Sequence, residues 1–143
     1  MNSTLFRTMA LDLGDKQIGI AVSDLTGIIA NGLNTLVRTN LQKDLAYLVN
    51  LIKEREVGLI VIGLPINMDG TSGIRVEKTY AFANELKQHT VVPIEFYDER
   101  LTSAVAEKVL ISADVSRSKR KQVVDKLAAT IILQDYLNAH KRS

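Results

Sequence analysis

Residues Val57–Leu64, VGLIVIGL, constrain the fold of this chain more than any other stretch. The run is continuously apolar and rich in β-branched side chains, so as a strand it has no polar face to turn toward water. It belongs at the centre of a sheet covered on both sides, and Pro65 marks its end. Flanking segments have the helical spacing needed for that cover. In Asn40–Glu54, Leu41, Leu45, Leu48 and Ile52 fall on one face, with Lys43, Asp44, Lys53 and Glu54 elsewhere. After the loop Pro65–Gly73, a helix beginning near Ile74 lines up Val76, Tyr80, Ala83 and Leu86. Pro93–Tyr97 reads as the next strand, and Thr102 or Ser103 can cap a short helix running to about Ile111. Ala113–Lys119 is polar and basic and reads as a loop. Gln122–Ala139 reads as the last helix, with Val124, Leu127, Ala128, Ile131 and Asp135 at a 3.6-residue period.

Ahead of these lies Met9–Asp24, MALDLGDKQIGIAVSD. Two apolar runs flank Gly14-Asp15-Lys16, which predicts a tight β-hairpin with Gly14 free to adopt positive φ. Leu25-Thr26-Gly27 is another turn, and Ile28–Val37 holds a third extended run. Three meandering strands, then helix, strand, helix, strand and two helices, predict an α/β fold, a mixed sheet with helices on its faces. The 143 residues are expected to form one domain over 1–143.

The hairpin places a carboxylate, Asp12, in the interior of a central strand. A lone buried carboxylate costs several kcal/mol unless a metal, a cation or hydrogen-bond donors compensate it. Asp98 and Glu99 lie just beyond the carboxyl end of a later strand, where open sheets collect ligand sites. Asp125 shares the edge of the last helix's apolar stripe with Ala129 and Ile132. Each acid alone has a plainer reading: backbone donors for Asp12, a surface ion pair within Asp98-Glu99-Arg100, and a one-turn pairing of Asp125 with Lys121. Together they fit a hard cation, Mg²⁺ or Mn²⁺, which binds carboxylate oxygens and needs neither His nor Cys. Two such ions roughly 4 Å apart can activate water and stabilise the leaving oxygen in phosphodiester hydrolysis. His89 and His140 show no ligand spacing.

Other classes fall away. Cysteine is absent, which excludes disulfides, zinc–thiolate sites and a thiol nucleophile. No apolar run approaches the roughly 20 residues that span a bilayer, and residues 1–8 lack a signal-peptide core, so no membrane partner and a cytoplasmic location are expected. Net charge is only +2, but Arg117, Lys119, Arg120 and Lys121 cluster in Ser116–Lys121, a segment suited to tracking a nucleic-acid backbone. The loop containing Gly63, Pro65 and Gly70, with the helix that follows, offers backbone N–H groups to a phosphate. Arg100 can hold a phosphate bidentately or pair with Asp98. Aromatic residues make up 5% of the chain, so base stacking would rest on Tyr97, Tyr80 or Phe96, and the strand residues read better as core. A nucleotide-binding protein of the actin-like ATPase kind holds its ligand between two lobes; this chain has residues for one, and no Walker-type loop.

The motifs LDLGDKQIGIAVSD, GLPINMDGTSG, DERLTS and VDKLAATIILQDYL, in this order and spacing, closely resemble the YqgF (RuvX) family over about residues 6 to 139. Its members are described as Holliday-junction resolvases or pre-16S rRNA nucleases with a ribonuclease-H-like fold. The resemblance implies a five-stranded mixed sheet, its first three strands antiparallel, flanked by helices. It also implies metal-dependent nuclease chemistry. Carried over by position, the metal ligands are Asp12, the acid of the DER motif and Asp125. The DER acid is Glu99 or its neighbour Asp98; alternation along PIEFYDE does not choose between them, and Glu99 is favoured. No second late-helix carboxylate stands until Asp135. Gln17 occupies a position where family members often carry Arg, leaving Lys16 as the phosphate contact on the turn.

The function so implied is an endonuclease acting on the 5′ end of precursor 16S rRNA in ribosome biogenesis. Its partners would be precursor rRNA ahead of branched DNA, and ribosomal particles, with the protein a monomer or weak dimer. The alternatives are a Holliday-junction resolvase, which needs two symmetric sites and hence a dimer, and a non-catalytic RNA-binding factor.

Overall fold

The computed structural model describes residues 5–141 apart from 68, 72 and 102–116, and at 101 and 117–126 the description covers the backbone alone. Arg7–Leu13 (β1) and Gln17–Ser23 (β2) form the antiparallel hairpin, with Met9 opposite Val22 and Asp12 opposite Gly19. The Gly14 N–H donates to the Gln17 carbonyl at 2.8 Å. Gly14 does not use a positive φ; among the described residues the positive-φ glycines are Gly27 and Gly70. What excludes a side chain there is space, because a Cβ would stand 2.8 Å from the Gln17 carbonyl oxygen.

The third extended run is divided into Ala30–Gly32 (β3) and Leu36–Val37 (β4), each antiparallel to β2. Before β3, Asp24 accepts hydrogen bonds from the Ile28 and Ile29 N–H groups at 2.8 and 2.9 Å and from the Thr26 hydroxyl. Burial opposes ionisation of this carboxyl, but these donors outweigh it and hold Asp24 far below the usual carboxylate range.

Leu41–Glu54 (α1) starts at Asn40, whose side chain accepts from the Lys43 N–H at 2.9 Å. Val57–Leu64 (β5) runs parallel to β1 with Leu11 opposite Ile62. Ile74–Lys87 (α2) leads to Ile94–Asp98 (β6), parallel to β5, with Gly63 opposite Tyr97 and Leu64 opposite Asp98. A 3₁₀ turn, Glu99–Leu101, follows, and Arg117–Ala139 (α3) closes the chain. α3 begins at Arg117 rather than Gln122, so the 117–119 end of the stretch read as a loop is helical; the expected short helix to Ile111 lies outside the described residues. The sheet order is β3-β2-β1-β5-β6 with β4 also on β2, so six strand segments fill five positions.

Alternation along the strands sorts the side chains into two cores. On one face Met9, Leu11, Ile18, Ile20, Ile60 and Ile62 pack with Leu45, Leu48 and Ile52 of α1 and Phe82, Ala83 and Leu86 of α2. On the other, Ala10, Ala21 and Val61 pack with Ala129, Ile132, Leu133, Tyr136 and Leu137 of α3. Each fully buried Leu or Ile contributes about 1.5–3 kcal/mol.

Two helical faces are rotated from expectation. In α1, Leu41 is partly exposed while Asp44 is buried, because Arg38 Nε and the Thr39 N–H reach its two oxygens at 3.4 and 3.2 Å. In α2, Thr79 and Phe82 are buried and Tyr80 is exposed, its ring edge-on to Phe96 with centroids 4.8 Å apart. Among the described residues no helix is long and apolar enough to cross a membrane.

Candidate active site

Asp12 stands between Leu11, which packs toward α1 and α2, and Leu13 on the same side, so alternation turns its carboxylate toward α3 with Ala10. It is 5% exposed. Its partner across the hairpin is Gly19, which adds no side chain beside it. On β5, Gly63 has the parity of Val61 and faces α3 as well. Since Leu11 pairs with Ile62, Asp12 and Gly63 are the next positions along adjacent strands.

No side chain grows from position 63, and Glu99 occupies the room. A Cβ placed there would lie 3.2 and 3.3 Å from Cγ and Cδ of Glu99 and 2.9 Å from Cδ1 of Ile132. Glu99 is 6% exposed, held between the end of β5 and α3. Asp12 and Glu99 thus occupy the same face of the sheet at the carboxyl ends of parallel strands.

Asp98 is engaged elsewhere. Arg100 donates to it from Nε at 3.1 Å to both oxygens, from Nη2 at 2.7 Å and from its backbone N–H at 2.9 Å. These bonds hold the Asp98 carboxyl below the ordinary range and raise the Arg100 guanidinium in return.

In the loop after β5, several backbone N–H groups are engaged within the loop itself. Ile66, Asn67 and Gly70 N–H groups already donate to carbonyls of Leu64, Thr71 and Asn67 at 2.9, 3.0 and 2.9 Å. The Thr71 hydroxyl and N–H both donate to Asp69 Oδ1, at 2.7 and 3.0 Å, and hold that carboxyl below its usual range. Pro65 has no N–H to offer. Gly70 takes φ of 89° and passes beside Arg100 Nη1, while Gly63 serves by leaving room for Glu99. Among the described residues, the amino terminus of α2, which begins at Gly73 without a side-chain cap, stays open to an anion.

Asp125 lies in α3 one turn before Ala129 and two before Ile132, both fully buried against the sheet. Its side chain, and those of Arg117, Lys119, Arg120 and Lys121, lie outside the described residues. Lys16 is exposed on the hairpin turn. Gln17 has the parity of Ala21, so it too faces α3, and its buried Oε1 has no hydrogen-bond partner among the described residues. Parity along QIGIAV was the signal for it. Tyr97 packs edge-on to Tyr136 at 5.7 Å, and the Tyr136 hydroxyl donates to Glu95 at 2.9 Å. Burial, then the nearby Asp135 charge, push the Tyr97 phenol up. Tyr97 and Phe96 are therefore committed to packing rather than to bases.

The donor set fits a hard cation. Asp12 and Glu99 are oxygen donors on one face, with a third acidic position on the helix packed over them. Among the described side chains, which exclude Asp125, no three His, Asp or Glu come together as a metal site.

Residues 6–139 match the model of a family described as RuvX: Holliday junction resolvase. A protein of Thermoanaerobacter pseudethanolicus named "Putative pre-16S rRNA nuclease" is 52% identical over 136 residues, covering 94% of this chain and 98% of the relative. One of the same name from Halalkalibacterium halodurans is 54% identical over 134 residues, covering 92% and 96%. Among solved structures, Thermus thermophilus RuvC in complex with a Holliday junction substrate superposes with a TM-score of 0.58 at 14% identity, covering 94% of each chain. RuvC from the same organism in a second structure gives 0.56 at 12%, covering 93% of this chain and 95% of that one. This likeness concerns the fold, which is ribonuclease-H-like.

Proposed function

The chain belongs to the RuvX family, and from that premise we propose that it is a metal-dependent endonuclease trimming the 5′ end of precursor 16S rRNA. The observation that carries this reading is the burial of Asp12 and Glu99 on one face of the sheet, with Gly63 making the room. Carboxylate oxygens gathered on one face are the donors a hard cation binds. Asp12, Glu99 and Asp125 would hold Mg²⁺ or Mn²⁺. When bound, such an ion lowers the pKa of water and stabilises charge on the phosphate oxygens.

The chain's own groups bind and position. Arg100, locked to Asp98, fixes the turn that carries Glu99. Lys16 and the α3 cations Arg117, Lys119, Arg120 and Lys121 take the backbone phosphates, which makes affinity fall with salt. The protein works in the cytoplasm on maturing ribosomal particles, as a monomer or weak dimer. The names of the relatives favour RNA. A second reading, resolution of branched DNA, is favoured by the family's description.

The test is cleavage of labelled precursor 16S rRNA beside a synthetic four-way DNA junction, each with Mg²⁺, Mn²⁺ or EDTA. Asp12→Asn and Asp125→Asn proteins are run in parallel. Metal-dependent cutting of RNA, lost in both variants, supports the reading. Cutting of the junction alone moves the function to recombination. Binding without cutting removes the enzyme and leaves an RNA-binding factor.

A further inference from the structure

On the face of the sheet opposite Asp12, a groove of about 870 Å³ runs between the β1–β2 turn, the start of α1 and one side of α2 from Arg75 to Glu85. Leu13, Val37, Leu41 and Phe82 give it apolar walls, and Val37 and Leu41 are 58% and 38% exposed there. Its cations are Lys16, Arg38, Arg75 and Lys78.

These cations are not equivalent. Arg38 is structural: Nη1 donates to the Gly14 carbonyl at 2.8 Å, Nε reaches buried Asp44 at 3.4 Å, and the guanidinium lies 5.3 Å from the Phe82 ring centroid. Lys78 meets Asp15 at 3.5 Å with both side chains mostly in water, a pairing that is easily exchanged. The Lys16 and Arg75 side chains have no ion-pair or hydrogen-bond partner among the described residues. Of the groove's carboxylates, Asp44 is tied to Arg38 and the Thr39 N–H, Asp15 faces Lys78, and Glu85 stands further along α2. Positive charge is thus in excess where the groove meets the hairpin turn.

That position is informative. β1 carries Asp12 near its carboxyl end and turns at residues 14–16, so Lys16 follows the acid round the sheet edge. α2 follows parallel β5 and starts at the same end. The acidic face and the groove therefore share one edge, with the hairpin turn between them.

We infer that this groove is a subsite for a single-stranded stretch of nucleic acid flanking the cleaved position. Phosphates bind Lys16, Arg75 and Lys78, and a base covers the apolar wall at Val37 and Leu41. The inference rests on the nuclease reading. A strand gripped at Asp12 and Glu99 leaves the site over the Gly14–Lys16 turn, and Lys16 and Arg75, whose side chains have no partner among the described residues, accept its phosphates without first breaking an ion pair. Stacking or apolar contact with a base removes exposed Val37 and Leu41 from water. An acidic protein segment is the other occupant such a groove could take; continuity with the acidic face favours the nucleic acid.

The test measures affinity of the full-length protein in EDTA for a single-stranded RNA spanning the cleaved position and for two RNAs trimmed on either side. It compares wild type with Arg75→Ala/Lys78→Ala, both exposed positions, and with Glu85→Lys. Each phosphate contact on a single strand contributes about 0.7 to the slope of log K against log salt. The double variant is expected to lower that slope by about 1.4 on the long RNA and to leave it unchanged on one of the trimmed RNAs. Glu85→Lys is expected to tighten the long RNA and not that trimmed one. Equal losses on long and trimmed RNA, or an unchanged slope, overturn the subsite. Unchanged RNA binding together with lost association with ribosomal particles also overturns it, assigning the groove to protein. Absence of RNA cleavage by wild type with Mg²⁺ or Mn²⁺ overturns the nuclease reading instead, whatever the slopes show.

Discussion

Replacing Gly63 by Ala tests the packing that positions Glu99. Position 63 has no positive φ, so alanine fits the backbone, and the loss of unfolded-state freedom favours folding by about 0.4–1 kcal/mol. Against this, the new Cβ would stand 2.9 Å from Ile132 Cδ1, so the end of that fully buried side chain must shift. Overpacking of that kind costs about 1–3 kcal/mol. The net loss is about 1 kcal/mol, or about 4 °C in Tm. The same Cβ lies 3.2 and 3.3 Å from Glu99 Cγ and Cδ and must displace that side chain by a few tenths of an ångström. Since a misplacement of about 1 Å can cost 100-fold, a fall of about 10-fold in cleavage is expected. Ile132→Val removes the clashing Cδ1 and separates the two effects. In Gly63→Ala/Ile132→Val, thermal unfolding should return to that of Ile132→Val alone while cleavage stays low. Recovery of cleavage together with stability would refute the direct contact with Glu99. Wild-type behaviour of Gly63→Ala in both assays would refute the arrangement itself.

Asp12→Asn should leave the far-UV circular dichroism spectrum unchanged and reduce metal-dependent cleavage by more than about 100-fold, since even outer-shell partners of metals are worth 10–100-fold. Asp44→Ala leaves Arg38 and the Thr39 N–H without their acceptor and should lower stability by about 2 kcal/mol, less than for a fully buried pair because Arg38 is partly exposed; urea unfolding measures it. Asp98 titrates below its ordinary value, so its ion pair contributes stability that is complete above the unfolded pKa near 4 and is lost as pH falls through the depressed value. In Arg100→Met, carboxyl NMR should show Asp98 titrating closer to 4, and the acid unfolding limb should begin at higher pH.

How far the sequence revealed this fold depended on how local the cause was. Val57–Leu64, the hairpin and the extent of α1 were legible because periodicity and nearest neighbours settle them. The choice of Asp44 over Leu41 for the buried face of α1 was not, because its cause is Arg38 in the preceding connection. Tyr80 likewise stays outside, its ring T-shaped against Phe96 on a strand distant in sequence. The loop N–H groups of Ile66, Asn67 and Gly70 could not be assigned from composition, since only their geometry shows them spent on one another. Alternation failed at Asp98-Glu99 because the strand ends between them. Nothing local indicates that Gly63, opposite Tyr97, opens the space into which Glu99 turns.

The two faces of the sheet divide the work by side-chain volume. Toward α1 and α2 the strands present Met9, Leu11, Ile18, Ile20, Ile60 and Ile62, large groups that anchor the sheet. Toward α3 they present Ala10, Gly19, Ala21, Val61 and Gly63, and α3 answers with Ala129. Small residues let the helix approach closely, and at the carboxyl end the volume they release is filled by Asp12 and Glu99 rather than by hydrocarbon. Truncation on the first face removes packing contacts and so acts on stability. Enlargement at Gly63 on the second drives an atom against Glu99 and so acts on chemistry. Gly63 has this property because the place of its missing Cβ is shared between a core methyl and a carboxylate stem.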